Sequence, residues 1–109
     1  MGLTRGDIII VAAPGEFGKP RPVLIVQADM SMVNEAVTYV PITSDLLRQP
    51  MIRVPVQPTS GNGLRRASEI MVDRIQTCTL SRIGGHIGHI DAMTMRQVEI
   101  ALMLHLGLA

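Results

Sequence analysis

Lys19-Pro20-Arg21-Pro22-Val23-Leu24-Ile25-Val26 sets one arginine between two prolines and runs it straight into a block of aliphatic residues. Proline fixes its own φ and restricts the residue before it, so the backbone at Arg21 stays extended. The block 23–26 is short and rich in β-branched residues, as suits a strand covered on two faces. A cation is thereby held on a stiff backbone at the mouth of a buried strand. Outward from it, residues 8–11 form a second such run. Between the two lies Pro14-Gly15-Glu16-Phe17-Gly18-Lys19-Pro20, too rich in Gly and Pro to be regular. Residues 37–43 read as a third strand and 52–57 as a fourth, where Pro55 argues for a sheet edge. Pro58-Thr59-Ser60-Gly61-Asn62-Gly63 is a turn, and residues 68–79 read as one last, long strand.

The period then changes. Asp91 is a fair N-cap, residues 92–106 are rich in helix formers, and Gly107 is a stop. The polar residues Arg96, Gln97, Glu99 and His105 do not gather on one face, so this helix is expected to be buried on most sides, against the sheet and a partner subunit. The sum is mainly β with α: a small, strongly bent antiparallel sheet with a C-terminal helix.

A chain of 109 residues is enough for one domain, spanning 1–109, with a modest core. Yet 47% of it is hydrophobic, and mean hydropathy is +0.31. No run of about 18 apolar residues offers a membrane span. The apolar stretch 8–13, flanked by Arg5, Asp7 and Pro14, is too short for a secretory signal. The surplus apolar surface therefore points to a homodimer or other homo-oligomer. Ten Lys/Arg balance nine Asp/Glu, which excludes nucleic-acid binding by bulk charge but leaves room for a local basic patch. Phe17 and Tyr39 are the only aromatics, too few for a multi-base stacking platform. The lone Cys78 permits no intramolecular disulfide and fits a cytoplasmic protein.

Metal and nucleophile patterns are weak. His86 and His89, in Gly84-Gly85-His86-Ile87-Gly88-His89, have a spacing that suits zinc only on a helix, which these glycines forbid; a loop or turn is expected, and no cofactor or metal. Cys78 reads as a buried structural thiol. Arg21 is the better candidate, because a rigidly placed guanidinium fork matches phosphate oxygens. On pattern alone, however, an ordinary loop arginine in a surface ion pair is favoured. Thr43-Ser44 ends the third strand, where hydroxyls either face a cleft or simply form a turn.

Several segments, taken in order, change that balance. Arg5-Gly6-Asp7-Ile8 resembles the opening of the MazF/PemK toxin family. Gly18-Lys19-Pro20-Arg21-Pro22-Val23-Leu24-Ile25-Val26-Gln27, then Val40-Pro41-Ile42-Thr43-Ser44, are similar to that family's next two segments. Gly61-Asn62-Gly63-Leu64, Ser68 and Asp73-Arg74-Ile75-Gln76-Thr77 resemble its late stretch, and the ending fits from Gly88 to the closing Leu106-Gly107-Leu108. No single piece is specific; the ordered set from residue 5 to 108 is.

The resemblance implies a small SH3-like barrel with a C-terminal helix, the CcdB/MazF/PemK-like toxin fold shared with gyrase poisons. It implies an mRNA interferase: an endoribonuclease that cleaves single-stranded RNA (mRNA) without a metal or the ribosome. The ribose 2′-OH attacks its own phosphate, leaving a 2′,3′-cyclic phosphate and a 5′-OH. Arg21 matches the family's catalytic arginine, assigned to stabilising the phosphorane; its high pKa makes it a poor proton donor. Thr43 matches the catalytic threonine. Glu16 stands where some members place a general base, a role open to it only with a raised pKa; a plain solvated loop charge is the equal alternative. Some relatives carry an arginine two residues before the late aspartate, where this chain has Met71. Asp73 is kept, and Arg74 is expected on the opposite face of the strand.

Lys19, Ser44, Arg65, Arg66 and Asp73 are further RNA-binding candidates. Phe17 either stacks on a base or latches its loop, and Gln76 either reads a base edge or pairs across the sheet. The resemblance also implies a homodimer and a cognate antitoxin protein whose disordered tail covers the RNA groove. The rival reading is a non-enzymatic gyrase poison on the same fold; such relatives rely on the helix end, often with a Trp, which this chain lacks. Word specificity is expected in loops 14–20 and 46–51.

Overall fold

The computed structural model describes residues 2–12, 19–29 and 35–109. The chain forms β1 (Asp7–Ala12), β2 (Pro20–Ile25), β3 (Ala36–Thr43), β4 (Arg53–Val56), β5 (Ser68–Met71), β6 (Gln76–Thr79), β7 (Ile83–His89) and α1 (Ala92–His105). The sheet runs β4-β5-β3-β2-β1-β7, with β6 also on β3, and its pairings are antiparallel.

The aliphatic runs alternate between two cores, as strands covered on both faces should. Ile8, Leu24, Val40 and Ile42 join Val54, Val56, Ile70, Val98 and Ala101 on the helix side. Ile9, Val11, Val23, Ile25, Val37 and Tyr39 form a second cluster on the other side, with Cys78.

β3 is the pivot. Its first half, from Ala36 to Tyr39, pairs with β6, and its last residues, Ile42 and Thr43, pair with β5. One edge of the strand thus serves two partners while the other pairs with β2, and the sheet bends around it. The bend requires β5 and β6 to part, and a 3-10 turn, Val72–Arg74, separates them. The single strand expected over 68–79 is therefore two strands.

The expected barrel is not closed by the described strands, since β4 and β7 end the sheet without pairing. A turn spans the gap instead. Asn62 is buried; its Oδ1 accepts from the Thr59 and Leu64 N–H groups at 3.0 Å, and its Nδ2 donates to the Gln57 carbonyl at 2.8 Å. The turn so built docks on β7, where the His89 N–H donates to the Gly61 carbonyl at 2.9 Å. Gly63 is required there: its φ is +71°, and an added Cβ would stand 2.1 Å from the Ile87 oxygen.

The glycine-rich segment with His86 and His89, expected as a loop, is strand β7. Pairing with β1 supplies its backbone partners, and both rings reach the buried Asp7, His89 Nδ1 at 2.9 Å and His86 Nε2 at 3.4 Å from Oδ1. Burial pushes the Asp7 carboxyl up, but hydrogen bonds from His89, the Thr4 N–H and His86 outweigh it and hold the group below the usual range.

Helix α1 is capped as expected: Asp91 accepts from the Thr94 N–H at 2.9 Å, and Gly107, at φ +72°, ends it with Leu108 N–H donating to the Met103 carbonyl. Within the single chain the sheet covers only part of its apolar surface. Only Val98 and Ala101 are fully covered, while Met93, Ile100, Met103, Leu104, Leu106 and Leu108 are exposed, because the sheet reaches one side of the helix. No helix of the described residues is long and apolar enough to cross a membrane.

Candidate active site

The β2–β3 register sets Val23 opposite Pro41. Carried two residues further, it brings Arg21 beside Thr43. Both line two adjoining clefts of about 380 and 330 Å³. Arg21 is exposed at the start of β2, where Pro20 and Pro22 keep it in the strand. Thr43, half-buried, ends β3; its Oγ1 accepts from the Asp45 N–H at 3.0 Å. That bond occupies a lone pair and leaves the hydroxyl proton to donate elsewhere.

The larger cleft also receives Ser44, Arg65, Arg66 and Ser68. The Asn62-built turn carries Arg65 and Arg66 to the same opening as Arg21, so three guanidinium groups border one cleft. The smaller cleft adds Asp45, Leu47, Arg53, Met71 and Arg74.

Arg74 was missed in the sequence. In an unbroken strand it would face away from Asp73; the 3-10 turn sends it to the Arg21–Thr43 cleft instead. Its guanidinium makes no hydrogen bond or ion pair among the described residues. The signal was the apolar spacing, which shifts from two (Ile70, Val72) to three (Ile75) at this point. Met71, the position that departs from the family pattern, lines the same cleft.

The remaining candidates are scattered. Lys19 is exposed and borders neither cleft. Asp73 sits in the 3-10 turn, outside both linings, with its Oδ1 buried and without a hydrogen-bond partner among the described residues. Gln76 lies on β6 opposite Tyr39, in the middle of β3 and outside both cleft linings, and its Nε2 donates to the Arg74 carbonyl at 3.3 Å. Glu16 and Phe17 lie outside the described residues. Cys78 is buried on β6, and burial pushes its thiol up, away from what a nucleophile needs.

A second omission is the pair Arg53–Glu69, 3.1 Å apart, with side chains only 7% and 5% exposed. Burial pushes the Glu69 carboxyl up, but the N–H groups of Leu47 and Arg48 and the Arg53 guanidinium outweigh it and hold it below the usual range.

Comparison with known proteins agrees with this geometry. The family model for PemK-like, MazF-like toxins of type II toxin-antitoxin systems matches residues 4–106. A Mycolicibacterium smegmatis protein named a probable endoribonuclease MazF is 37% identical over 108 residues, covering 98% of this chain and 99% of the relative. The Mycobacterium tuberculosis toxin MazF-mt6 superposes with a TM-score of 0.81 at 28% identity, over 94% of this chain and 98% of that one. A mycobacterial endoribonuclease solved with its cognate antitoxin gives a TM-score of 0.84 at 24% identity, over 99% and 98% of the two chains, a likeness of fold. The chain belongs to the PemK/MazF family of toxins of type II toxin–antitoxin systems.

Proposed function

We propose that this chain, as one toxin domain over residues 1–109, is a sequence-specific, metal-independent and ribosome-independent endoribonuclease that cuts single-stranded mRNA. The observation that carries the reading is the meeting of Arg21 and Thr43 in the same clefts, bordered by further arginines. The M. smegmatis relative named an endoribonuclease supports it along nearly the whole chain.

The nucleophile belongs to the substrate. The 2′-OH gives up its proton to a base, the 2′-oxygen bonds to phosphorus, and the P–O5′ bond breaks, with the departing 5′-oxygen taking a proton. The products are a 2′,3′-cyclic phosphate and a 5′-OH. The protein must hold attacking and leaving oxygens in line and stabilise the charge gathering on phosphorus. Arg21 supplies the fixed positive fork, and the Thr43 hydroxyl donates to the same phosphate. Glu16 is the proposed general base. Arg65 and Arg66 on one side and Arg74 on the other hold the flanking phosphates, which gives a balanced chain a local basic track. Lys19, Ser44 and Phe17 are proposed to extend that contact.

The exposed apolar residues of α1 fit a homodimer, and a cognate antitoxin is the proposed inhibitor, its tail competing with RNA for the groove. Cytoplasmic location follows from the substrate. The rival reading, a gyrase poison, finds no support, because the family matched is PemK/MazF and the Arg21–Thr43 cleft has no use there.

The test is a substrate carrying a single 2′-deoxynucleotide at the cut. Cleavage of the all-RNA oligonucleotide with none of the deoxy version is expected. Equal cleavage of both would overturn the mechanism.

A further inference from the structure

Glu69 is charged, yet only 4% exposed. Its carboxylate accepts from two successive backbone N–H groups, those of Leu47 and Arg48, each at 3.0 Å. Arg53, 6% exposed, donates from Nη1 to Glu69 Oε1 at 3.1 Å and to the Asp45 carbonyl at 3.2 Å. These bonds hold a segment, residues 44–51, whose side chains are all exposed. Within it Arg48 adopts φ +59°, a left-handed conformation uncommon for arginine, and Glu69 holds its N–H there.

This is a poor way to stabilise a core. A buried ion pair is often matched or bettered by apolar residues of similar volume, and here Arg53 Nε stays buried without a hydrogen-bond partner among the described residues. What the pair supplies is a single backbone path. That path divides two clefts: Asp45 and Leu47 face the one with Arg21, Thr43 and Arg74, while Leu46, Arg48 and Gln49 face a neighbouring cleft of about 460 Å³.

We propose that Glu69, acting with Arg53, is a positioning residue for substrate selection: it holds loop 44–51 in the one path that lets this toxin discriminate among RNA words. The inference rests on the endoribonuclease reading. Guanidinium and amide groups such as those of Arg48 and Gln49 read the edges of unpaired bases. A loop with one path presents them in one register. Released, the loop samples several and rejects fewer words. Glu69 and Arg53 reach the lining of these clefts, but in this scheme they act through the loop backbone and not by binding RNA.

The experiment is cleavage of a randomised single-stranded RNA pool by the wild-type protein, Glu69→Gln and Arg48→Gly, with the cut ends sequenced and kcat and KM measured on the preferred word and its single-base variants. Glu69→Gln is expected to keep kcat on the preferred word within about threefold. Its discrimination against single-base variants falls by about tenfold or more. Arg48→Gly, which suits the left-handed backbone but removes one of the proposed base-reading side chains, loses discrimination too. Folded Glu69→Gln with wild-type discrimination, or with kcat lowered equally on every word, overturns the inference. If Glu69→Gln does not fold, Arg48→Gly decides: wild-type discrimination in that variant overturns the inference as well. A wild-type protein that cuts no RNA overturns the enzyme reading itself, which separates the two failures.

Discussion

Thr43 and Glu69 stand opposite one another across the β3–β5 ladder, so their side chains leave the sheet on the same face. Each holds part of the loop that follows β3: Thr43 Oγ1 binds the Asp45 N–H, and the Glu69 carboxylate binds those of Leu47 and Arg48. The hydroxyl proposed to touch the reacting phosphate and the carboxylate proposed to govern selection thus belong to one cross-strand pair. Chemistry and recognition are joined through a few residues of backbone.

Thr43→Ala should lower kcat by about a hundredfold, the usual cost of losing one donor aimed at developing charge. Thr43→Ser, which keeps the donor, should stay within about tenfold of wild type. Single-turnover cleavage of a short RNA checks both, and an unchanged rate in Thr43→Ala would remove the hydroxyl from the mechanism.

Arg74→Ala should weaken RNA binding through KM rather than kcat. Because a lost phosphate contact releases fewer counterions, the slope of log K against log salt should fall by about 0.7 for a single strand. Titration of an RNA made uncleavable by one deoxynucleotide, over a range of salt, measures this. Arg74→Lys should restore the slope.

Acid should destabilise the fold partly through Glu69. Its folded-state carboxyl lies below the usual range, so its contribution is fully present above the ordinary value of about 4.3 and is lost as pH falls toward the folded value. Asp7 acts in the same direction. Urea midpoints followed downward from pH 7 should fall less steeply in Glu69→Gln than in wild type. At neutral pH the variant should be less stable by about 3 kcal/mol, the cost of breaking a buried pair.

Gly63→Ala should destabilise the protein by roughly 3 kcal/mol, combining a left-handed φ with a Cβ driven into the Ile87 carbonyl. Calorimetry reads this as a fall in Tm. Loosening of the turn that carries Arg65 and Arg66 should appear as a raised KM for RNA.

The first two strands were legible because their aliphatic runs, residues 8–11 and 23–26, have no polar positions, as suits strands with a core on each face. Pro55 marked β4 as an edge, and Asp91 and Gly107 marked the helix ends. Residues 68–79 misled because each half is a good strand; the three-residue step from Val72 to Ile75 was the local sign of the break. How much of α1 the sheet itself covers depends on how far it extends beneath the helix, which periodicity does not encode; the remainder is the surface assigned from the sequence to a partner subunit. Of the site, ordered motifs pointed to Arg21 and Thr43, and the register brings them together. Arg74 depended on the unread turn. The Arg53–Glu69 pair is a tertiary match between strands, and neither residue alone signals the other.

The central claim is tested most directly by incubating purified, antitoxin-free protein with a long single-stranded RNA in EDTA, beside Arg21→Ala, and identifying the new ends. The account predicts cuts at one repeated short word with 2′,3′-cyclic phosphate and 5′-OH ends, lost in Arg21→Ala. Cleavage that persists in the variant, or intact RNA in the presence of folded wild-type protein, would contradict it.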